Sequence, residues 1–180
     1  MRLVAFFRNL NLGQRLAPSR DALEYAFLDA GGTSASSFQT NGTVVFEAKS
    51  VRSGLKITRL VSEQLEGANG FAEPVFVRSW DYLTSLVARQ PFAADKDPSV
   101  HVYSVTFLHG EADLGIELPR QTPRGDVRVV EYTESEMLCA SYKTGASTAG
   151  SPNVMAEKVF GLPATTRVWS TLERLVRGGA

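Results

Sequence analysis

One apolar run near the start of the chain constrains the fold more than any other stretch. Residues Leu3–Phe7 are apolar on both alternating faces. A strand with two apolar faces is typical of the centre of a sheet, where both faces are covered. The run leads directly into a polar segment that begins with Arg8 and Asn9 and also carries Asn11. We therefore predict a central strand followed by a loop that is a candidate for ligand contacts.

The rest of the first half alternates strand and helix signals. Ser19 is a candidate N-cap for a helix that ends at Gly31-Gly32, and a second helix is predicted from near Ser53 to Gly67. Asn41-Gly42 is typical of a two-residue hairpin turn. Four strands are predicted, at residues 3–7, 34–39, 43–47 and 74–78. The order β-α-β-β-α-β is the split β-α-β, or ferredoxin-like, pattern.

The pattern returns, incompletely, in the second half. Strands are predicted at residues 100–108, 127–132, 137–142 and 163–168, but the helix expected within 110–125 is short or missing. Ser151-Pro152 predicts one helix start, and Ser170–Glu173 is a capping box for the last helix. We predict an α+β fold with two tandem ferredoxin-like subdomains and mostly antiparallel sheets. Their bounds are 1–78 for the first, 79–98 for a connecting helix and linker, and 99–180 for a second, degenerate subdomain with a C-terminal helix.

The composition of the chain limits the cellular compartment and the classes of binding partner that we expect. Lys plus Arg and Asp plus Glu each number 19, so the chain lacks the basic excess typical of nucleic-acid binders. There is no signal-peptide pattern, and no apolar run approaches the ~18 residues of a membrane span. Cys139 is the single cysteine, which fits a reducing compartment. We expect a cytoplasmic protein with no membrane partner, and the sequence leaves its oligomeric state open.

Three stretches together resemble a known bacterial family. They are Phe7–Gly13, Gln39–Phe46 and Ala164–Thr171, and Gln90-Pro91-Phe92 in the connector fits as well. The chain is similar in these stretches to the domain of unknown function 1697 family. The resemblance implies a tandem ferredoxin-like α+β fold, and it implies no activity.

The ferredoxin-like pattern itself places a candidate site. In a split β-α-β unit, the loop after strand one and the turn between strands two and three lie at the same edge of the sheet. That edge is predicted to bring together six polar residues: Arg8, Asn9, Asn11, Gln39, Thr40 and Asn41. These side chains either bind a ligand or satisfy backbone groups of the buried loop.

A second cluster is predicted in the second half. The loop at 143–151 has the glycine spacing of a phosphate loop, but Ser151 and Pro152 stand where that motif needs Lys and Ser or Thr. Arg167 and Trp169 lie at the end of the last predicted strand. A structural role is the first interpretation of both, and ring stacking or ligand contact is the alternative.

The sequence gives less support for a metal site, a reactive cysteine or a pair of catalytic carboxylates. His101 and His109 do not have the spacing of metal ligands, and no Cys-x-x-Cys is present, so no metal and no cofactor is predicted. Cys139 in its strand is expected to be a small buried residue. Glu134 and Glu136 are expected to be solvated at a hairpin tip.

Three functions remain open from the sequence. The first is binding of a small or anionic molecule in a polar cleft between the two halves, built from Arg8, Asn9, Asn11, Gln39, Asn41, Arg167 and Trp169. The second is an enzyme of unassigned reaction class at the same cleft. The third is RNA or DNA binding on an open sheet, with Tyr103, Val105 and Phe107 as the stacking face.

Overall fold

The structure is a computed structural model that describes residues 1–115, 120–145 and 149–178. The chain divides into two compact units, one formed by Met1–Ser85 with Leu175–Ala180 and the other by Leu86–Arg174. Within the described residues, no helix has both the length and the apolar character needed to cross a membrane. Each unit is built around its own four-stranded antiparallel sheet.

The first unit has the predicted ferredoxin-like topology. Its sheet has the order β2-β3-β1-β4, with every neighbouring pair antiparallel. The crossovers β1-α1-β2 and β3-α2-β4 each skip one strand, which is the split β-α-β arrangement. The elements, with the helix that follows the sheet, are β1 (Arg2–Phe7), α1 (Arg20–Asp29), β2 (Ser34–Phe38), β3 (Thr43–Glu47), α2 (Val51–Asn69), β4 (Val75–Ser79) and α3 (Trp80–Ala88).

Strand β1 is central, as its doubly apolar pattern predicts. It pairs with β3 on one side and with β4 on the other, and Leu3–Phe7 are all buried. On one face Leu3, Ala5 and Phe7 belong to a core that includes Phe27 of α1 and apolar side chains of α2. Each such large side chain contributes about 1.5–3 kcal/mol on burial, so this strand fixes both the sheet and the helices packed on it.

The helix ends in the first unit are set by short-range hydrogen bonds. The predicted Ser19 cap is confirmed, since its Oγ accepts from the N–H of Ala22 at 3.2 Å. Helix α2 instead begins after Ser50, which forms a capping box with Ser53. The predicted end at Gly67 is wrong, because Gly67 continues the helix and Gly70 takes the left-handed φ of 70° that closes it.

The hairpin between β2 and β3 differs from the predicted two-residue turn. Phe38 pairs with Thr43, so the connection has four residues, Gln39–Gly42. Gln39 and Gly42 both take left-handed φ values, 60° and 67°. A Cβ at Gly42 would lie 2.8 Å from Cβ of Leu10, so the loop after β1 packs onto this turn and sets its shape.

The second unit repeats the strand order without the first helix. Its sheet is β6-β7-β5-β8, again antiparallel throughout. The described residues between β5 and β6 contain no helix, and 116–119 lie outside the description. Helix α5 begins at Trp169, so Ser170 lies within it and the predicted capping box is wrong. The elements are β5 (Val102–Leu108), β6 (Val127–Tyr132), β7 (Glu136–Ser141), α4 (Pro152–Phe160), β8 (Ala164–Val168) and α5 (Trp169–Gly178).

The two sheets end in the same local pattern. Arg78 is the fourth residue of β4 and Trp80 directly follows that strand, and Arg167 and Trp169 take the same positions at β8. In both units the arginine Nη1 donates to the carbonyl of the preceding residue, at 2.9 Å for Arg78 and 3.0 Å for Arg167. A helix then begins at each tryptophan. Shared strand order and shared local chemistry support two tandem copies of one unit.

Candidate functional site

The strand order brings the loop after β1 against the β2–β3 connection. The N–H of Phe7 donates to the carbonyl of Gly42 at 2.8 Å, and the N–H of Leu12 donates to that of Thr40 at 2.8 Å. Two of the family-like stretches, far apart in sequence, therefore meet through backbone hydrogen bonds. This contact fixes the first part of the loop, from which the polar side chains project.

A second loop, between α2 and β4, meets the same segment through Glu73. One carboxylate oxygen of Glu73 accepts from Nδ2 of Asn9 at 3.0 Å, and the other lies 3.5 Å from Nη1 of Arg8. The N–H of Arg8 also donates to the carbonyl of Pro74, at 3.3 Å. Asn9 takes a left-handed φ of 54°, which turns its amide toward Glu73. Arg8 and Asn9 thus tie the two loops together.

These two loops enclose a pocket of about 420 Å³ in the first unit. That volume falls in the range that small organic ligands occupy, roughly 300–1,000 Å³. The wall from the β1–α1 loop mixes amides, a cation and apolar side chains, and the wall from the α2–β4 loop supplies an aromatic ring and a carboxylate. The lining residues are Asn9, Leu10, Asn11, Gln14, Arg15, Leu16, Ala17, Gly70, Phe71, Ala72 and Glu73.

Three of the predicted site residues in this unit, Arg8, Gln39 and Asn41, do not line the pocket, and Arg8 reaches it through its ion pair with Glu73. Gln39 and Asn41 are half-buried in the β2–β3 connection and do not line it. The carbonyl of Gln39 accepts from Nη2 of Arg20 at 3.0 Å, and Arg20 also donates to the carbonyl of Ser37. The main chain of the turn is therefore held by α1, while Asn9 and Asn11 face the pocket.

Sequence reasoning missed most of the pocket. Gln14, Arg15, Leu16, Phe71 and Glu73 were not among the candidates. One signal was available: some twelve residues separate β1 from α1, more than a crossover of this kind needs. Long loops without secondary structure are often functional. The second signal is the pairing of β1 with β4, which brings the residues before β4 to the same sheet edge.

In the second unit, Arg167 and Trp169 occupy buried positions. Nη1 of Arg167 donates to Oγ1 of Thr165 at 2.9 Å, and burial lowers the pKa of this guanidinium to about 10, so it is still a cation at neutral pH. Trp169 is 8% exposed and packs edge-on against Phe92, with ring centroids 5.1 Å apart. The candidate loop at 143–151 includes residues 146–148, which lie outside the described part of the chain.

The proposed stacking face on β5 is not open. Val105 and Phe107 are fully buried. Tyr103 is half-buried, and Phe92 stacks on it with ring centroids 4.5 Å apart. An RNA-recognition sheet presents exposed aromatic rings to bases, and these three side chains do not.

Three other candidates are placed by the structure. Cys139 is buried, and burial raises the pKa of its thiol to about 12. Glu134 is exposed as expected, but Glu136 is 2% exposed, so its expected solvation is wrong. Its carboxylate accepts from the hydroxyls of Thr133 at 2.9 Å and Ser135 at 2.7 Å, which replace water. Among the described residues, no group of three or more His, Cys, Asp or Glu could hold a metal ion.

A polar network fixes the linker that precedes β5. Nε of Arg128 donates to the hydroxyl of Tyr142 at 2.7 Å, and Nη2 of Arg128 donates to Oδ2 of Asp95. The Tyr142 hydroxyl donates to Oδ2 of Asp97 at 3.0 Å. The Arg128 hydrogen bond holds the pKa of the Asp95 carboxyl below its ordinary value of 3.8. Every charged group in this network has a partner, so we interpret the network as a structural one that holds the linker in place.

Comparison with known proteins assigns the family. The family model described as "Protein of unknown function (DUF1697)" matches residues 1–135. The chain belongs to this family. The predicted resemblance is thereby confirmed, and the match includes Met1–Ser85 of the first unit, with the pocket and both of the stretches that meet beside it. The third stretch, Ala164–Thr171, lies beyond the matched residues.

A solved structure has the same fold as this chain. The conserved bacterial protein SP0830 from Streptococcus pneumoniae is similar with a TM-score of 0.64 at 12% identity, over 98% of this chain and 97% of that one. At that identity the likeness concerns the fold alone. No curated protein matches the chain significantly.

Proposed function

We propose that the protein binds a small organic anion in the pocket of its first unit. The observation that carries the proposal is the pocket itself, about 420 Å³ in volume and lined by three amide side chains, a cation and an apolar wall. A concave surface with a few convergent polar groups on an otherwise apolar lining is the usual form of a small-molecule site.

The charges at the pocket favour an anion. Glu73 is already engaged by Arg8 and Asn9, so its negative charge is offset. Arg15 also lines the pocket and makes no ion pair among the described residues. The three charges leave one net positive charge at the site. A carboxylate or phosphate group is the natural partner of such a guanidinium, through charge-assisted hydrogen bonds.

The direction of α2 gives the ligand an orientation. Helix α2 ends at Gly70, which lines the pocket, so the negative end of its dipole points to that wall. An anionic group is repelled there and attracted to the opposite wall, where Arg15 and the amides of Asn11 and Gln14 lie. We place the anionic group against the β1–α1 loop and the rest of the ligand against Phe71.

The other predicted site residues take supporting roles in this proposal. Arg8 holds Glu73 in place, and Gln39 and Asn41 shape the turn on which the pocket loop rests. The proposal does not need Arg167 and Trp169, which serve the second unit. A cleft shared by the two halves stays a prediction.

The test is a titration of the whole chain with hexanoate, followed by amide chemical shifts in two-dimensional NMR. Shifts are expected for residues 9–17 and 70–73. Arg15→Gln should weaken the binding by about threefold or more, because a partly exposed charged contact contributes on the order of 1 kcal/mol. Arg52→Gln is the matched control, since Arg52 is also exposed but lies on α2 outside the pocket lining.

Two comparisons make the result specific. Hexanamide has the same chain without the charge, and it should bind less tightly than hexanoate. Equal binding of the two, or equal loss in both arginine variants, would mean that Arg15 does not recognise an anion. An enzymatic reaction at this site stays open, because the proposal concerns binding alone.

A further inference from the structure

Leu16 in the pocket lining combines two unfavourable features. It takes a left-handed φ of 67°, and the residue is 59% exposed. The N–H of Ala17 donates to the carbonyl of Gln14 at 3.0 Å, so Leu16 is the third residue of a four-residue turn. With a left-handed φ that position favours Gly or Asn, and a branched apolar side chain there is strained.

The comparison within the chain makes Leu16 stand apart. Among the described residues, the other non-glycine positions with left-handed φ are Asn9, Gln39 and Gln90, all of which carry amides. Leu16 alone is apolar, and folding gains little from it because most of its side chain meets water. Backbone strain of this kind persists where the surrounding structure or a ligand uses the residue.

The position of Leu16 in the pocket lining indicates what the exposed side chain could contact. It stands beside Arg15 on the loop wall of the pocket, and Leu10, Phe71 and Ala72 are also in the lining. Building on the function proposed above, we infer that Leu16 contacts the apolar body of the ligand and selects anions that carry one. The ligand class is then an amphipathic organic acid, with its charge at Arg15 and its hydrocarbon part between Leu16 and Phe71.

A series of straight-chain carboxylates tests this selection. Acetate, butyrate, hexanoate and octanoate share one charge and differ in apolar length. If the chain is buried against Leu16, each added methylene should tighten binding by up to about fourfold, the factor equivalent to ~0.8 kcal/mol per CH₂. Leu16→Asn should flatten this dependence while acetate still binds, because Asn accepts the left-handed backbone and removes the apolar contact.

The same variant separates a ligand contact from a structural one. Relief of the backbone strain should leave the Tm of Leu16→Asn equal to or above that of the parent chain. Leu55→Gln is the control, since Leu55 is 52% exposed on α2 and does not line the pocket, and it should keep the full chain-length dependence. A marked fall in the Tm of Leu16→Asn would overturn the inference, because Leu16 would then be packed for stability.

The outcomes also distinguish this inference from the function on which it rests. Binding that depends on Arg15 but is equal for acetate and octanoate would overturn the role of Leu16 and leave the anion site standing. Pocket amides that stay unshifted by all four carboxylates would overturn both. A length dependence that survives Leu16→Asn would assign the apolar contact to Phe71 and its neighbours instead.

Discussion

Gly42 lies where the two family-like stretches of the first unit meet, and its replacement by Ala tests how they are held. Its φ of 67° is left-handed, and an added Cβ would lie 2.8 Å from Cβ of Leu10, 3.0 Å from the Leu10 carbonyl oxygen and 3.0 Å from Cβ of Phe7. Leu10 and Phe7 are 2% and 1% exposed, so neither has room to move away. The Cβ therefore meets backbone and the bases of two buried side chains.

The cost has two separable parts. A non-glycine residue in the left-handed region loses about 1–2 kcal/mol, and overpacking in a filled core costs about 1–3 kcal/mol more. Gly42→Ala should thus lower the free energy of unfolding by about 2–5 kcal/mol, a large share of the ~5–15 kcal/mol typical of a domain. Gly13→Ala isolates the first part, because Gly13 has a φ of 80° and nothing lies within 4 Å of its Cβ position.

Urea unfolding measures the difference between the two variants. The transition is followed by the fluorescence of Trp80 in a Trp169→Phe background, so that the fluorescence signal comes from the first unit, and by far-UV circular dichroism, which reports both units. The midpoint should fall further for Gly42→Ala than for Gly13→Ala, by the equivalent of about 1–3 kcal/mol. Equal midpoints would refute the close packing of the turn on the β1 loop.

Three further outcomes are expected. Cys139 should resist a thiol reagent at pH 8 until the chain unfolds, because burial raises its pKa to about 12 and leaves almost no thiolate; rapid labelling of folded protein contradicts this. The parent chain should have a higher free energy of unfolding than Asp95→Asn, because Arg128 lowers the pKa of Asp95 in the folded state. This difference should be complete above the ordinary pKa of 3.8 and should shrink as the pH falls below it; a difference that does not change with pH argues against the ion pair. A gel-shift assay at physiological salt should detect no complex with RNA or DNA, because the net charge is zero.

The elements that the sequence predicted correctly are those determined by residues close to one another in the chain. The run Leu3–Phe7, apolar on both faces, predicted a central strand, Ser19 predicted a cap, and the order of strands and helices predicted the topology of both sheets. The wrong boundaries share a physical cause, since several residues compete for the same role. Ser50 and Ser53 both suit a helix start, and Gly67 and Gly70 both suit its end; only the contacts of the folded chain choose between them.

The pocket was beyond local reasoning because it depends on a contact across 64 residues, between Asn9 and Glu73. The predicted strand order still indicated part of the pocket, because it shows which loops meet at the end of β1. One neighbour of β1 is β3, and the pairing with β3 brings Gln39 and Asn41 of the turn to the end of β1. Its other neighbour, β4, pairs Phe7 with Val75, and this places Glu73 at the same edge. Both neighbours of a central strand must be followed to find the side chains that meet at its end.

The second unit offers an internal comparison for the same sheet edge. The N–H of Leu108 donates to the carbonyl of Ser135 as Phe7 does to Gly42, and the N–H of His109 donates to that of Pro163 as Arg8 does to Pro74. The position that corresponds to Asn9 is then Gly110, whose Cβ position lies 3.5 Å from the side chain of Leu162. Leu162, which precedes Pro163 as Glu73 precedes Pro74, packs on the core of that unit.

One backbone arrangement therefore supports a packed leucine in one unit and an open polar pocket in the other. The shared backbone pattern alone therefore does not fix the polar character of this edge, which depends on the side chains that each unit carries there. The pocket must come from the choice of side chains in the first unit, where Asn9, Glu73 and Arg15 keep it polar and Leu16 stays exposed despite a strained backbone. The ligand site proposed above accounts both for polar side chains at an edge where a leucine can pack and for an exposed leucine on a strained backbone.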